Sequence, residues 1–353
     1  MNILLLTNTL YMDSGWGKQT EPFINFCTKK ELEVFTSDNR KKLIFGKNNL
    51  KSIYFPKLGY VALIFDLINV LIFLRKKPNI VHANVEFYAP LAMILAFLFR
   101  VPYSITAAGT YSISLPYKYK IYKFAFQKAD RIISVSNYTK KRIFDEFNFD
   151  NVCVVNQGVN LKIFKKSKFV LKENIITFVG NLKPRKGLLF LLESLAILQN
   201  RGCKYELFVI GKIEKDHYFK NVMRIIKENK LNVSFKGKLP IENLVNYYQK
   251  AKVNVLPSLS KRFNFEGFGL IHNEANACGT LSIGTFNSGN EDAIKNKKYL
   301  VKYGDKDHLA NLLEELLESK NYEDLVHQNI KSQKEYKEDY LNIWNDLIKN
   351  FDN

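Results

Sequence analysis

The sequence predicts an α/β protein built as two similar halves, each a parallel sheet with helices on both faces. Short apolar runs recur along the chain and helical stretches separate most of them, the alternation that parallel sheets require. A chain of 353 residues accommodates two domains of ordinary size, each burying its own core. No repeat of 20 to 50 residues is visible, which leaves two α/β series rather than a solenoid.

In the first series the strands are Asn2–Asn8, Leu32–Thr36, Ser52–Phe55, Ile80–Ala83, Tyr103–Thr106, Arg131–Val135 and Val152–Val155. Between the first two, Thr9–Lys18 reads as a loop carrying Gly15-Trp16-Gly17, followed by a helix over Glu21–Lys30. Ligands of α/β domains bind at the carboxyl ends of strands, and glycines let backbone N–H groups approach a phosphate; a generic turn fits the same residues. Asn156–Lys168 lacks periodicity, is rich in lysine and reads as a linker. The second series has strands at Ile175–Val179, Glu206–Ile210, Val233–Lys236, Val253–Leu256 and Leu281–Ile283. Its helices are Gly187–Asn200, His217–Asn229 and Glu242–Ala251, with two amphipathic helices at 308–319 and 337–351.

Two stretches of the second series carry candidate chemistry. Gly180-Asn181-Leu182-Lys183-Pro184-Arg185-Lys186-Gly187 ends its first strand and opens a helix, placing two cations beside a glycine-flanked helix start. Arg offers a planar fork and Lys a point charge, both suited to phosphate. The second stretch runs from Phe265 to Gly279, with Glu266 in a loop, Gly267-Phe268-Gly269-Leu270 entering a helix, and Glu274 further along that helix. Unpaired N–H groups at such a helix start suit an anion. Glu274 lies in a segment of small, uncharged residues, where a carboxylate needs a hydroxyl or another donor as partner.

Net charge is +19, with 21 basic and 11 acidic residues over 1–160 and 32 and 23 over the remainder. Phosphorylated substrates, an anionic membrane leaflet or nucleic acid would each answer that charge, as would a general bias toward lysine. No nucleic-acid recognition module is present, so no nucleic-acid partner is expected. Tyr60–Leu74 is apolar, carries Asp66, ends in Arg75-Lys76-Lys77, and is shorter than the ~20 residues a bilayer span needs. With the apolar Leu91–Phe99 and the basic, aromatic run around Lys118, Lys120 and Lys123, it makes the first half fit either an anionic membrane surface or a buried helix layer with a solvated basic face. Cys27, Cys153, Cys203 and Cys278 are scattered, without metal-type spacing, and read as reduced thiols of an intracellular chain; the amino terminus shows no secretory signal.

Several motifs, in this order, resemble those of the retaining nucleotide-sugar glycosyltransferases of the GT-B fold, family 4. They are Val81-His82-Ala83-Asn84, Ala129-Asp130-Arg131-Ile132-Ile133-Ser134-Val135-Ser136, Val154-Val155-Asn156-Gln157-Gly158-Val159-Asn160, Phe178-Val179-Gly180-Asn181 with Arg185-Lys186-Gly187, and Pro257-Ser258 with the Glu266-to-Gly279 block. The resemblance implies two Rossmann-like domains facing across a cleft. Residues 1–160, joined by a C-terminal helix at 335–353, would form the acceptor domain, and residues 161–334 the domain that binds the nucleotide sugar. Glu274 would hold the ribose hydroxyls, and Glu266 with the N–H groups of Phe268, Gly269 and Leu270, beside Gly267, would meet the sugar and diphosphate. Lys186 and Arg185 would neutralise the departing diphosphate, beside Gly180 and Asn181, while the loop of Gly15 and Gly17 would close over the phosphates.

Asn84, Glu86 and Gly109 lie where an acceptor would enter. The expected partners are a nucleotide-sugar donor, a glycan or lipid-linked acceptor and an anionic membrane surface. No cofactor and no metal are expected, and the setting would be cytoplasmic, peripheral on the membrane's inner face, in the assembly of a cell-surface polysaccharide or lipopolysaccharide. Two positions depart from the family pattern: Asn181 replaces an arginine, and Ala108 stands where a histidine often contacts the donor sugar. These departures motivate an alternative, a non-catalytic nucleotide- or glycan-binding protein of the same fold.

Overall fold

The computed structural model describes residues 2–9, 31–36, 51–52, 60–330 and 339–351, together with Gly17, Thr20 and Ile24. The chain divides into two compact units, Met1–Gln157 with Tyr336–Asn353, and Gly158–Glu335.

The first unit holds seven strands, β1 (Asn2–Thr7), β2 (Glu31–Thr36), β3 (Lys51–Ser52), β4 (Ile80–Ala83), β5 (Tyr103–Ala107), β6 (Arg131–Ser134) and β7 (Val152–Val154). They pair in parallel in the order β3-β2-β1-β4-β5-β6-β7. The residues of β1, β4 and β5 are buried throughout, as expected of strands covered on both faces. Right-handed crossovers place the helices leading into and following β4 (60–73, 89–99, 110–118, 120–128 and 137–147) on one face. The opposite face packs Ile3, Leu5 and Ile24 against Trp344 and Leu347 of the C-terminal helix Asp339–Phe351. Trp344 is fully buried, its Nε1 donates to Ser104 Oγ (3.0 Å), and its ring lies 5.0 Å from that of His82.

The second unit holds β8 (Glu173–Val179), β9 (Glu206–Ile210), β10 (Val233–Gly237), β11 (Ala251–Val255), β12 (Leu281–Thr285) and β13 (Leu300–Val301), all parallel, in the order β10-β9-β8-β11-β12-β13. Helix Leu188–Asn200 packs on Lys306–Glu318 over a core that includes Phe178, Leu191, Leu195, Val253, Ile283 and Leu313. The starting ends of the strands are tied by Lys172, whose Nζ donates to Ala251 O (2.9 Å), Thr280 Oγ1 (2.9 Å) and Tyr248 O (3.1 Å). Burial pulls this ammonium down to about 7.

The expected α/β class is what the structure shows, with differences in detail. β8 begins at Glu173 and β11 at Ala251, because ladder hydrogen bonds continue past the apolar runs. β13, the helix Tyr322–Ile330 and the helices from 110 to 147 are additional elements. Gly17, expected in a loop, is helical and buried. Thr20, also helical, reaches the strand ends: its Oγ1 lies 3.2 Å from Thr7 Oγ1 and accepts from Asn84 Nδ2 at 2.9 Å. Gly15, most of the expected helix 21–30 and the end of the expected strand 52–55 lie outside the described residues.

Candidate active site

In the second unit β8 is followed by a strand on one side, β9, and later by one on the other, β11. The carboxyl ends of β8 and β11 therefore flank a topological switch point, where ligands of open α/β sheets bind. The turn after β8 carries Gly180 to Gly187, and the loop after β11 carries Pro257 to Gly269. The turn is short, with one 3-10 helix over Pro184–Lys186, and it is clamped to the loop. Leu259 N–H donates to Arg185 O (2.8 Å). Gly187 has φ +80°, and a Cβ there would lie 1.9 Å from the Pro257 carbonyl oxygen. Only glycine admits that approach.

The clamp brings Arg185, Lys186 and Glu266 together. Arg185 Nη1 and Lys186 Nζ both donate to Glu266 Oε2, at 2.7 and 2.6 Å. The side chains are 26%, 14% and 12% exposed, so the cluster is shielded yet reachable from solvent. Burial by itself would raise the Glu266 carboxyl, but the charges and hydrogen bonds of Lys186 and Arg185 outweigh it and hold the group down to about 2. Burial draws the Lys186 ammonium below the ordinary lysine range, with Glu266 opposing. Two cations on one carboxylate oxygen leave a net positive charge, and Arg keeps further N–H donors for a second anion.

Helix Leu270–Ala277 starts immediately beyond, capped by Gly269, with Phe268 buried behind it. The loop ahead of it is held from β12: Gly289 N–H donates to Glu266 O (2.9 Å), and a Cβ at Gly289 would lie 2.1 Å from Gly267 O. Glu274 is 1% exposed, and its Oε2 accepts from Tyr248 OH at 3.4 Å. Burial, then the Glu274 charge, pushes the Tyr248 hydroxyl well up. Gly180 caps β8, its N–H donating to Ile210 O (2.8 Å). Asn181 is exposed, and its Oδ1 accepts from Lys212 N–H at 3.4 Å.

Sequence reasoning singled out neither Gly289 nor Asn290, although Asn287-Ser288-Gly289-Asn290 is a turn-type cluster. His272 is fully buried, and burial holds its imidazole down to about 4. Ser258 Oγ, both His272 nitrogens and Asn290 Oδ1 are buried and make no hydrogen bond within the chain. Such atoms are rare in folded proteins, and here these four gather with Ser260 Oγ on the loops and helix that hold Glu266.

In the first unit the acceptor candidates are interior. Asn84 is 2% exposed, its amide tied to Thr20. Glu86 is 1% exposed; its Oε1 accepts from Ala108 N–H (2.7 Å) and Ser112 Oγ (2.8 Å), while Oε2 makes no hydrogen bond. Burial raises its pKa, against the hydrogen bonds from Ser112, Ala108 and Gly109. Gly109 precedes helix Thr110–Lys118. His82 is buried, Nδ1 2.8 Å from Ser104 Oγ and Nε2 3.0 Å from Thr106 Oγ1, and burial holds it down to about 3. Among the described residues no cluster of three or more His, Cys, Asp or Glu could hold a metal ion.

Comparison with known proteins identifies the family and the fold. The model of the glycosyl transferases group 1 matches residues 159–334, and that of Glycosyltransferase Family 4 matches residues 30–163. The chain belongs to the GT-B glycosyltransferases. It is 25% identical to the capsular polysaccharide biosynthesis glycosyltransferase CapM of Staphylococcus aureus, with 92% of this chain and 90% of CapM covered. A GDP-mannose-dependent monoacylated alpha-(1-6)-phosphatidylinositol monomannoside mannosyltransferase of Corynebacterium glutamicum is 26% identical, over 54% of each chain. Among solved structures, Alr3699/HepE of Anabaena in complex with UDP and glucose superposes with a TM-score of 0.74 at 15% identity, covering 100% of this chain and 99% of that one.

Proposed function

We propose that this glycosyltransferase moves a hexose from a nucleotide sugar to a glycan or lipid-linked acceptor during assembly of a cell-surface polysaccharide, retaining the anomeric configuration and using no metal. The observation that carries the reading is the Arg185–Glu266–Lys186 cluster at the β8/β11 switch point, in front of the helix that starts at Leu270. Loss of a nucleoside diphosphate builds negative charge on the leaving oxygens. Cations already held in place stabilise that charge without reorganising when the bond breaks. Lys186 and Arg185 fill this role, with the N–H groups of Phe268, Gly269 and Leu270 completing the anion site. Glu266 keeps both cations charged and oriented until the diphosphate competes for them, and faces the sugar. Glu274 receives the ribose hydroxyls after exchanging its contact with Tyr248. The enzyme works at the inner face of the membrane.

UDP-glucose, bound in a structural neighbour, and GDP-mannose, on which a mannosyltransferase relative depends, head the panel that tests this reading. The native chain should be stabilised against thermal unfolding by one nucleotide sugar and should slowly hydrolyse it, with an α or β product matching the donor by NMR. Glu274→Gln should abolish the stabilisation. A folded chain that responds to none of the UDP-, GDP- and ADP-sugars sinks the reading. Binding without turnover under every acceptor condition would favour a non-catalytic binding protein.

A further inference from the structure

The helix layer on one face of the first unit has an inverted surface. In helix Tyr60–Phe73 the side chains of Ile64, Phe65, Ile68, Leu71 and Ile72, from 46% to 67% exposed, lie at the spacing of a single helix face, and Phe73 at the helix end is 44% exposed. Its inward side holds Val70 and the carboxylate Asp66, which is 3% exposed. A helix facing water would put these the other way round. Helix Ala89–Phe99 packs against it and ends in Phe97 (83% exposed) and Leu98 (50%); helix Lys120–Lys128 packs against that one and adds Phe124 (51%).

Across these three helices the exposed charge has one sign, whereas helix 137–147 of the same layer carries the exposed Asp145. Between residues 60 and 128 the only two carboxylates, Asp66 and Glu86, are buried, whereas every lysine and arginine is exposed. Parallel strands make the connecting helices run back the other way, so all three helices end on the same side of the sheet. There Arg75-Lys76-Lys77, Arg100 and Lys128 follow or close their last turns. Glu33 fixes the basic turn by accepting from the N–H groups of Arg75 and Lys76, at 3.1 and 3.0 Å. Cations near helix ends answer the helix dipoles, but the dipoles do not call for bare phenylalanine and isoleucine beside them.

We propose that the outer surface of helices 60–73, 89–99 and 120–128 is a membrane-docking face, with Phe65, Ile72 and Phe97 entering the headgroup boundary of an anionic leaflet while the flanking lysines and arginines hold lipid phosphates. Large apolar side chains ringed by cations, with the half-buried Glu33 at the basic turn engaged by backbone N–H groups, match that surface. A second copy of this chain does not, because a two-fold contact would set the same cations against each other. Among the described residues no helix is long and apolar enough to cross a membrane, so the contact is a surface one. The inference rests on the transferase reading only for its purpose: docking would bring the enzyme to a lipid-linked acceptor.

Flotation of the full chain with vesicles tests it directly. Vesicles containing phosphatidylglycerol should carry the protein up the gradient, pure phosphatidylcholine vesicles should not, and added salt should release it. Lys76→Glu with Lys77→Glu should weaken partitioning by about fivefold or more per residue, and Phe65→Ser with Ile72→Ser and Phe97→Ser should abolish it. Both variants change exposed positions and should keep the native unfolding temperature and the donor-induced thermal shift in solution. Equal binding to both vesicle types, no binding by the native chain, or a native dimer in light scattering that the serine variant turns monomeric would each overturn the proposal. A donor shift without flotation removes docking alone; flotation without any donor response removes the transferase reading alone.

Discussion

The two units share a parallel sheet, yet the loops at their strand ends follow opposite electrostatic rules. In the second unit charges are brought together, with Arg185 and Lys186 both on Glu266 and the carboxyl held down to about 2. In the first unit charge is suppressed. His82 is held neutral at about 3, Glu86 is pushed toward its protonated form, and Thr7, Thr20 and Asn84 bond among themselves. A cluster of preset cations suits an anionic leaving group, whereas neutral donors and acceptors suit the hydroxyls of a sugar. The fold therefore does not set the chemistry; the residues placed after β1, β4, β8 and β11 do.

The sharpest way to break this contrast is to remove one cation from the second unit. Lys186→Met should lower donor turnover by roughly 100- to 1000-fold, the loss typical when one preorganised charge-stabilising donor is deleted. Glu86→Gln, in the neutral network, should leave the donor-induced thermal shift unchanged. Steady-state hydrolysis and thermal shift with the same donor separate the two. A Lys186→Met enzyme within a few-fold of the native rate would mean that the cluster is structural.

Residue types made part of this site legible in advance. A glycine-flanked turn with Arg185 and Lys186, and a glutamate ahead of a small-residue helix, each announce an anion-facing element. Their meeting was legible only through the family resemblance and not from spacing, because Glu266 stands 81 positions from Arg185 and reaches it through the pairing of β11 beside β8. Burial was the other hidden quantity. Nothing in the spacing of Asn84 and Glu86 says that Thr20, Ala108 and Ser112 enclose them, since that follows from Thr20 standing beside the strand ends and from the turn after β5. The helices between 110 and 147 were hard to read because Pro116 and many aromatics blur their periodicity, and β13 is too short to show any pattern.

Acidification should sharpen the contrast from the other direction. The Glu266 carboxyl sits at about 2 in the folded chain against 4.5 as an ordinary glutamate, so as pH falls the unfolded chain takes up the proton first. The stability it contributes is complete above about 4.5 and lost as pH falls through about 2, a total of up to about 3 kcal/mol. The stability gap between the native chain and Glu266→Gln, measured by urea unfolding, should shrink by about 2 kcal/mol between pH 6 and pH 3. A gap independent of pH would show that the ion cluster does not form in solution.

The smallest expected effect is the most discriminating for the first unit. Burial raises the Glu86 pKa above its ordinary value, so the folded chain prefers the neutral acid and ionisation costs stability increasingly as pH rises above 4.5. Gln carries the same carbonyl acceptor for Ala108 N–H and Ser112 Oγ without that cost. Glu86→Gln should thus lie within about 1 kcal/mol of the native stability at pH 5 and gain on it toward pH 8. Glu86→Ala, which leaves both donors unpaired and opens a cavity, should lose about 2–3 kcal/mol throughout. If Gln proved as damaging as Ala, with no change in the difference across that range, the buried group would have to be a carboxylate. The first unit would then hold a charge at its strand ends, and the division between neutral strand ends in the first unit and charged ones in the second would fail.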